Sequence, residues 1–235
     1  MTTTISPAGS SLDPSVRGAR VARLRRLDVC SVSDALDRLQ LSGVEPNVPQ
    51  QSGERRIAGA VVTLRVGVGT PAPGPLRHLG TLAIESATPE HVIVIEQSSG
   101  VDAGCWGGLL TLGAQLRGIE GVVADGPVRD IDEARALGFG VFTRECTPRT
   151  ARGRVVELGT NVQVAPWGHV VQPEDFVIAD RSGVAFIAGE HIDRVLDAAE
   201  SIAAREAAMV TALRAGGSPA AVMAGNYENM LRSST

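Results

Sequence analysis

The alternation of strand and helix patterns between residues 91 and 144 restricts the possible folds most. The apolar run His91–Glu96 is typical of a strand buried on both faces, and the glycine-led helical pattern Gly108–Leu116 follows it. The next predicted elements are the strand Gly121–Ala124, the helix Ile131–Leu137 and the strand Val141–Arg144. Since parallel strands need crossover connections, this order predicts right-handed βαβ units in a parallel sheet.

The remainder of the chain predicts further layers around this unit. Two short helices are expected between Val16 and Leu39, with Ser31 or Ser33 as an N-cap. Before the parallel unit we expect a strand at Ile57–Val66 and a helix at residues 76–87. After Pro148, short strands without intervening helices predict a second, antiparallel sheet at Arg154–Leu158, Asn161–Val164, His169–Val171, Phe176–Ala179 and Val184–Ile187.

A long helix over residues 190–215 completes the pattern, and Gly216-Gly217 is its stop signal. No repeat or domain boundary is visible. The sequence therefore predicts a mobile N-terminal arm, residues 1–15, followed by a single domain, residues 16–235. Its fold class is α/β, a layered sandwich with a βαβ half and an antiparallel half.

Composition excludes several classes of function. Aromatic residues make up only 3% of the chain and the net charge is −4, so neither base stacking nor a basic nucleic-acid surface is expected. No stretch approaches the roughly 18 consecutive apolar residues of a membrane span. Three cysteines without a CxxC pair favour a reduced, cytoplasmic protein. We expect a soluble protein without nucleic-acid or membrane partners.

The turn Asp125–Asp130 follows a predicted strand, where open α/β sheets gather ligands. Arg129 offers a planar fork for a carboxylate, and Asp130 can bind a hard cation. The alternative is structural: Asp130 would only cap the helix that begins at Ile131, and Arg129 would be a surface charge.

The second candidate site is the helix start at glycines 107 and 108. A helix start exposes backbone N–H groups, which suit an anion. Other candidates are weaker. The four histidines have no metal-binding spacing. Cys105 could be a nucleophile, but a packed small residue is the simpler interpretation. The Gly67–Leu79 loop is open to two interpretations, a lid or an ordinary loop.

Three sequence runs together resemble a known family, the RraA-like family, which includes class II 4-hydroxy-4-methyl-2-oxoglutarate/4-carboxy-4-hydroxy-2-oxoadipate aldolases. They are WGGLLTLGAQLRGIEGVVADGPVRD, ALGFGVFTR and DFVIADRSGVAFI, within a resemblance that spans about residues 27–213. The resemblance implies a swivelling β/β/α fold. It also implies a homotrimer or a dimer of trimers with active sites between subunits.

The resemblance further implies residue roles. Asp130 would bind Mg²⁺ or Mn²⁺, and Arg129 would hold the carboxylate of a pyruvoyl group beside the helix start at Gly108, Leu109 and Leu110. Glu206, on a neighbouring subunit's terminal helix, would be a further acidic partner of the metal through water. The implied reaction is retro-aldol cleavage or decarboxylation of an anionic 2-oxo acid, giving pyruvate through a metal-stabilised enolate.

One position departs from the aldolase pattern. In the family aldolases an acidic residue is separated by twenty intervening residues from the Arg-Asp pair, and that acidic position is Gly108 here. Asp102 and Asp125 are close in sequence and are possible substitutes. The alternative function implied by the resemblance is that of a non-catalytic, protein-binding regulator of an RNA-degrading endonuclease.

Overall fold

A computed structural model describes residues 13–71, 74–75 and 77–223. Among these residues, helices flank a single mixed sheet. The helices are α1 (Pro14–Leu24), α2 (Val29–Arg38), α3 (Thr81–Ser86), α4 (Gly108–Leu116), α5 (Ile131–Leu137), α6 (Ile192–Arg214) and α7 (Pro219–Met223). The strands are β1 (Val44–Pro46), β2 (Gln50–Ser52), β3 (Ile57–Gly67), β4 (His91–Glu96), β5 (Gly121–Asp125), β6 (Gly140–Thr143), β7 (Val156–Thr160), β8 (Phe176–Asp180) and β9 (Gly183–Ile187).

The predicted parallel unit is confirmed. Strands β3, β4, β5 and β6 lie side by side in this order and pair in parallel, with α3, α4 and α5 as their connections. Their residues are almost all buried, as expected for strands covered on both faces. The carboxyl ends of β4 and β5 therefore reach the same edge of the sheet at Glu96 and Asp125.

The antiparallel strands do not form the predicted second sheet, and this detail of the prediction was wrong. The 11-residue β3 pairs with β8 over its first half and with β7 over its second half. These strands therefore extend the same hydrogen-bonded sheet. The strands predicted at 161–164 and 169–171 are reduced to one isolated bridge between Val164 and Val171.

Three apolar clusters produce the layers. The first packs α3, α4 and α5 on β3 to β6, and the second packs α1, α2 and α6 on β3, β8 and β9. The third consists of the opposite faces of the strands and the residues around the Val164–Val171 bridge, without a helix. Successive side chains of a strand point to opposite faces of the sheet. Along β3, Val61 accordingly belongs to this third cluster and Val62 to the first, helix-covered cluster. The predicted α/β layered fold is confirmed.

Several boundaries differ from prediction. Most of the predicted arm, residues 1–15, lies outside the described residues, but α1 already begins at Pro14. The N-caps of α1 and α2 are Asp13 and Asp28, not Ser31 or Ser33, because a carboxylate accepts the free N–H groups in each case. Strands β1 and β2 were missed, since three-residue strands in a Pro/Gln-rich stretch have no readable period.

None of the described helices is long and apolar enough to cross a membrane.

Candidate functional site

All the predicted site residues except Glu206 lie in a cleft of ≈ 1080 Å³ beside the amino end of α4. Three chain segments run side by side there, because Val128 makes parallel bridges with Trp106 and with Cys146. The backbone of Arg129 donates to the carbonyl of Trp106 at 3.0 Å, which fixes the two predicted turns against each other. The buried Trp106 ring anchors this contact through its Nε1, which donates to Thr111 Oγ1 at 2.9 Å.

Arg129 lies across two glycines. A Cβ atom at Gly104 would lie 3.1 Å from Cγ and Cδ of Arg129, and one at Gly107 would lie 3.0 Å from its Cγ. The aliphatic stem is therefore seated where only glycines leave room. Gly104 was missed by the sequence analysis, although its place two residues before Trp106-Gly107 was a possible signal.

The head of Arg129 is only partly engaged. Its Nε atom lies 3.1 Å from both carboxylate oxygens of Asp130. Among the described residues, neither terminal nitrogen of its guanidinium has a recorded acceptor. About a third of the side chain is exposed, so these two nitrogens are available to a carboxylate in the cleft.

Asp130 occupies the position before α5 but does not cap that helix. It has left-handed backbone angles, φ 59° and ψ 41°, and makes no side-chain bond to α5. Its Oδ2 instead accepts the N–H of Gly108 at 2.9 Å, at the start of α4. The prediction that the Asp130 side chain caps α5 was therefore wrong, because it binds the start of α4 instead.

The positive end of α4 keeps further donors. The N–H of Gly108 is already bound to Asp130, so the predicted contact of Gly108 with substrate stays a prediction. The N–H groups of Leu109 and Leu110 have no recorded acceptor within the described part of the chain. The Leu110 side chain is buried, whereas that of Leu109 is exposed. Both residues line the cleft.

Other sequence candidates lie elsewhere. Glu206 is on α6 and does not line this cleft; burial raises its pKa, helped by the charges of Asp28 and Asp34. Its predicted contact with a neighbouring subunit stays a prediction. Burial raises the pKa of the Cys105 thiol to about 12, which does not suit a nucleophile at neutral pH.

Neither proposed substitute for an acid at position 108 lines the cleft. Asp102 pairs with Arg149 at 3.2 Å, and Asp125 accepts the N–H of Trp167 at 2.7 Å. Glu133, an exposed residue in the first turn of α5, lies near Gly108 but does not line the cleft either. A Cβ at Gly108 would be 3.2 Å from its Oε2.

The far part of the cleft is formed by described residues of the Gly67–Leu79 loop, such as Pro71 and Leu79, and by residues between 150 and 157. Leu79, Leu82 and Val155 supply apolar surface, and Arg152 supplies a cation. Glu157 also lines the cleft, but its two carboxylate oxygens accept from Gly80 N and Thr160 Oγ1. Described residues of the Gly67–Leu79 loop thus line the cleft, whether the loop is a lid or an ordinary loop.

The donor set suits a hard cation. Asp130 lies at the cleft wall with its side chain partly exposed. No group of three or more His, Cys, Asp or Glu residues among those described has metal-binding geometry, which disfavours a closed zinc site. Mg²⁺ commonly uses one or two carboxylates and takes its other ligands from water and substrate, so the residues present fit Mg²⁺ or Mn²⁺.

Comparison with known proteins identifies the family of this chain. The RraA-like family, described as Aldolase/RraA, matches residues 29–186. A Halalkalibacterium halodurans protein named "Putative 4-hydroxy-4-methyl-2-oxoglutarate aldolase" is 28% identical over 182 residues, which are 77% of this chain and 81% of that protein.

Two solved structures share the fold. The crystal structure of an uncharacterised protein from Pseudomonas syringae pv. tomato has a TM-score of 0.78 and 25% identity, covering 93% of this chain and 98% of its own. Streptomyces coelicolor RraAS2, described as an unusual member of the RNase ES inhibitor RraA protein family, has a TM-score of 0.71 and 23% identity, covering 85% and 97%. The family match extends over more than half of the chain, and this protein belongs to the RraA-like family.

Proposed function

We propose that this protein is a divalent-metal-dependent carbon–carbon lyase that acts on an anionic 2-oxo acid and releases pyruvate. One observation carries the proposal. Arg129 and Asp130 are held together at a cleft wall, beside the N–H groups of Leu109 and Leu110, which have no acceptor among the described residues. A cationic fork, a carboxylate and a helix amino end within one cleft suit a small ligand with a carboxylate next to a keto group.

Each residue has a distinct task in this proposal. The terminal nitrogens of Arg129 bind the substrate carboxylate end-on, since Nε is engaged by Asp130. The N–H groups of Leu109 and Leu110 orient the same pyruvoyl group at the positive end of α4. Asp130 holds the cation, and Gly108 keeps the Asp130 carboxylate in place through its N–H.

The cation, Mg²⁺ or Mn²⁺, supplies Lewis-acid stabilisation of the negative charge that develops on the keto oxygen as the carbon–carbon bond breaks. Retro-aldol cleavage and decarboxylation develop the same charge, so one site is compatible with both reactions. The outer part of the cleft, with Leu79, Val155 and Arg152, would contact the departing half of the substrate.

The test is pyruvate release from oxaloacetate and from 4-hydroxy-4-methyl-2-oxoglutarate, with Mg²⁺ or Mn²⁺ and with a chelator. We expect turnover that the chelator abolishes. Arg129→Lys should lower kcat/KM roughly 100-fold, because a point charge cannot replace the fork. Arg154→Lys is the matched control, since Arg154 is exposed and bonds only the carbonyl of Thr150.

Absence of metal-dependent turnover of either acid would contradict the proposal, as would equal activity of Arg129→Lys and Arg154→Lys. Binding of an RNA-degrading endonuclease that survives alanine at both Arg129 and Asp130 would instead favour the protein-binding alternative.

A further inference from the structure

We infer that Arg152 determines substrate specificity by binding a second carboxylate, on the half of the substrate that departs when the carbon–carbon bond breaks. This inference rests on the proposed function, because it concerns what occupies the outer part of the same cleft. It selects retro-aldol substrates whose departing half is anionic over substrates whose departing half is neutral.

The chain segment that carries Arg152 runs beside the stem of Arg129. The N–H of Gly104 donates to the carbonyl of Arg149 at 2.9 Å. A Cβ at Gly104 would lie 3.2 Å from this carbonyl oxygen and 3.1 Å from Cδ of Arg129. Arg152 follows three residues later, and both Arg129 and Arg152 line the cleft. The cleft therefore has one arginine at its inner wall and another in its outer part.

Arg152 lies on a hydrogen-bonded turn. The N–H groups of Arg154 and Val155 donate to the carbonyl of Ala151 at 2.9 Å and 3.0 Å. The N–H of Arg152 donates to Thr150 Oγ1 at 3.3 Å, and Nη1 of Arg154 donates to the Thr150 carbonyl at 3.2 Å. The backbone that presents the Arg152 side chain is thus already ordered, which lowers the entropy cost of binding a ligand there.

The charge of Arg152 is available to a ligand. Arg77, which also lines the outer cleft, pairs with Glu85 at 2.8 Å, and the nearby Arg149 pairs with Asp102 at 3.2 Å. Within the part of the chain that the structure describes, the guanidinium of Arg152 has neither an ion pair nor a hydrogen-bond acceptor. A planar guanidinium with this freedom suits a carboxylate, which it can bind through two parallel hydrogen bonds.

The two reactions open to the site use a second carboxylate differently. In retro-aldol cleavage the bond between C3 and C4 breaks, its electron pair passes into the pyruvate enolate, and the C4 hydroxyl loses its proton to solvent as it becomes a carbonyl. A carboxylate on C4 keeps its charge throughout, so Arg152 can hold it in the departing product. In oxaloacetate the second carboxylate itself leaves as CO₂ and its charge passes to the enolate. A cation bound to that carboxylate stabilises the ground state more than the transition state.

The outer cleft also offers an alternative occupant. Leu79, Leu82 and Val155 line it as well, and these side chains suit a neutral, apolar group. In that case Arg152 is only a solvated surface charge. Two acids that cannot undergo retro-aldol cleavage distinguish the cases: 2-oxoglutarate carries a carboxylate at C5, and 2-oxopentanoate is identical except for a methyl group there.

The experiment is calorimetric titration of each acid into the protein in the presence of Mg²⁺. We expect the parent protein to bind 2-oxoglutarate about tenfold more tightly than 2-oxopentanoate, as a hydrogen-bonded charge pair implies. Arg152→Gln should reduce this preference to less than about twofold by weakening 2-oxoglutarate binding alone. Arg149→Gln is the matched control, because it removes the same charge three residues away from an exposed side chain that does not line the cleft.

Kinetics provide an independent readout. Arg152→Gln should lower kcat/KM for 4-hydroxy-4-methyl-2-oxoglutarate about tenfold, because the departing half of this acid keeps a carboxylate. Decarboxylation of oxaloacetate should be unchanged or faster. An equal loss of both activities would contradict the role of Arg152.

Equal affinity of the parent protein for the two acids, or tighter binding of 2-oxopentanoate, would overturn the inference and leave the proposed function standing. So would a preference that survives in Arg152→Gln or that is lost equally in Arg149→Gln. If the parent protein binds neither acid, the proposed function and the inference fail together.

Discussion

At the scale of single residues, the site depends on glycines, which have no Cβ atom and so leave room for the side chains of Arg129 and Asp130. Gly107 has an extended backbone, φ −162°, which any residue adopts, so its role is to leave space. A Cβ there would lie 2.9 Å from Oδ2 of Asp130 and 3.0 Å from Cγ of Arg129. Both site side chains would have to move to accommodate it.

Gly107→Ala should therefore lower kcat/KM for the proposed substrates at least tenfold. The overpacking should lower the free energy of unfolding by about 1–3 kcal/mol. Gly113→Ala, in the same helix, is the control: its Cβ would meet only Cδ1 of Ile84, at 3.7 Å. It should stabilise the protein by roughly 0.5–1 kcal/mol and leave activity unchanged. Steady-state kinetics and urea unfolding check both, and equal kinetics for the two variants would argue against the spacing role of Gly107.

At the scale of elements, α1 is tied to the sheet by a half-buried ionic network. Arg17 contacts Glu90 at 2.9 Å and Glu174 at 3.3 Å, and Nε2 of the buried His91 lies 3.1 Å from Glu174. Nδ1 of His91 accepts the N–H of Thr88, so Nε2 carries a proton and donates to Glu174. Burial by itself raises the pKa of Glu174, but His91 and Arg17 outweigh it, and the net pKa is lowered.

A lowered carboxyl pKa stabilises the folded state above the ordinary glutamate pKa of about 4.3, and this stabilisation is lost as the pH falls through the lower value. Glu174→Gln should cost about 1–3 kcal/mol of unfolding free energy at pH 7, because Arg17 and His91 lose their buried partner. Its stability should also fall less steeply with acidification. Chemical unfolding between pH 3 and pH 7 measures both. Glu190→Gln, at an exposed position, should change stability by less than about 0.5 kcal/mol.

At the scale of the whole molecule, the expected trimer or dimer of trimers stays a prediction. Two features are compatible with it. Glu206 lies on α6 against α2 and not in the cleft of its own chain. In addition, α4 exposes Leu109 and Leu116, 85% and 78% respectively, on one face beside the cleft.

If Glu206 acts on a neighbouring subunit, Arg129→Ala and Glu206→Gln should each be nearly inactive, whereas their coexpression should recover part of the activity. Mixed assemblies contain some sites with both residues intact, which is the reason for the recovery. Light scattering should give about three or six times the 24.4 kDa chain mass. A fully active monomer, or coexpression without recovery, would contradict this prediction.

The sequence alone was sufficient for the elements with a clear local period. The parallel unit of β4 to β6, the long α6 and the Arg129-Asp130 turn were all predicted, because apolar periodicity and a glycine-led helix start are local signals. The position of Arg129 and Asp130 at a cleft followed from one rule, that ligands gather at the carboxyl ends of parallel strands.

Tertiary structure decided what depends on contacts between distant segments. Whether β7 and β8 formed a second sheet or extended the first depended on their pairing with β3, which no local pattern encodes. Gly104 became part of the site only because the Arg129 stem crosses it. The sequence by itself thus determined which chemical groups the site can use, through residue type and local period. The packing of α4 against the turn before α5 decided which of them meet, because such distances are set by the folded chain as a whole.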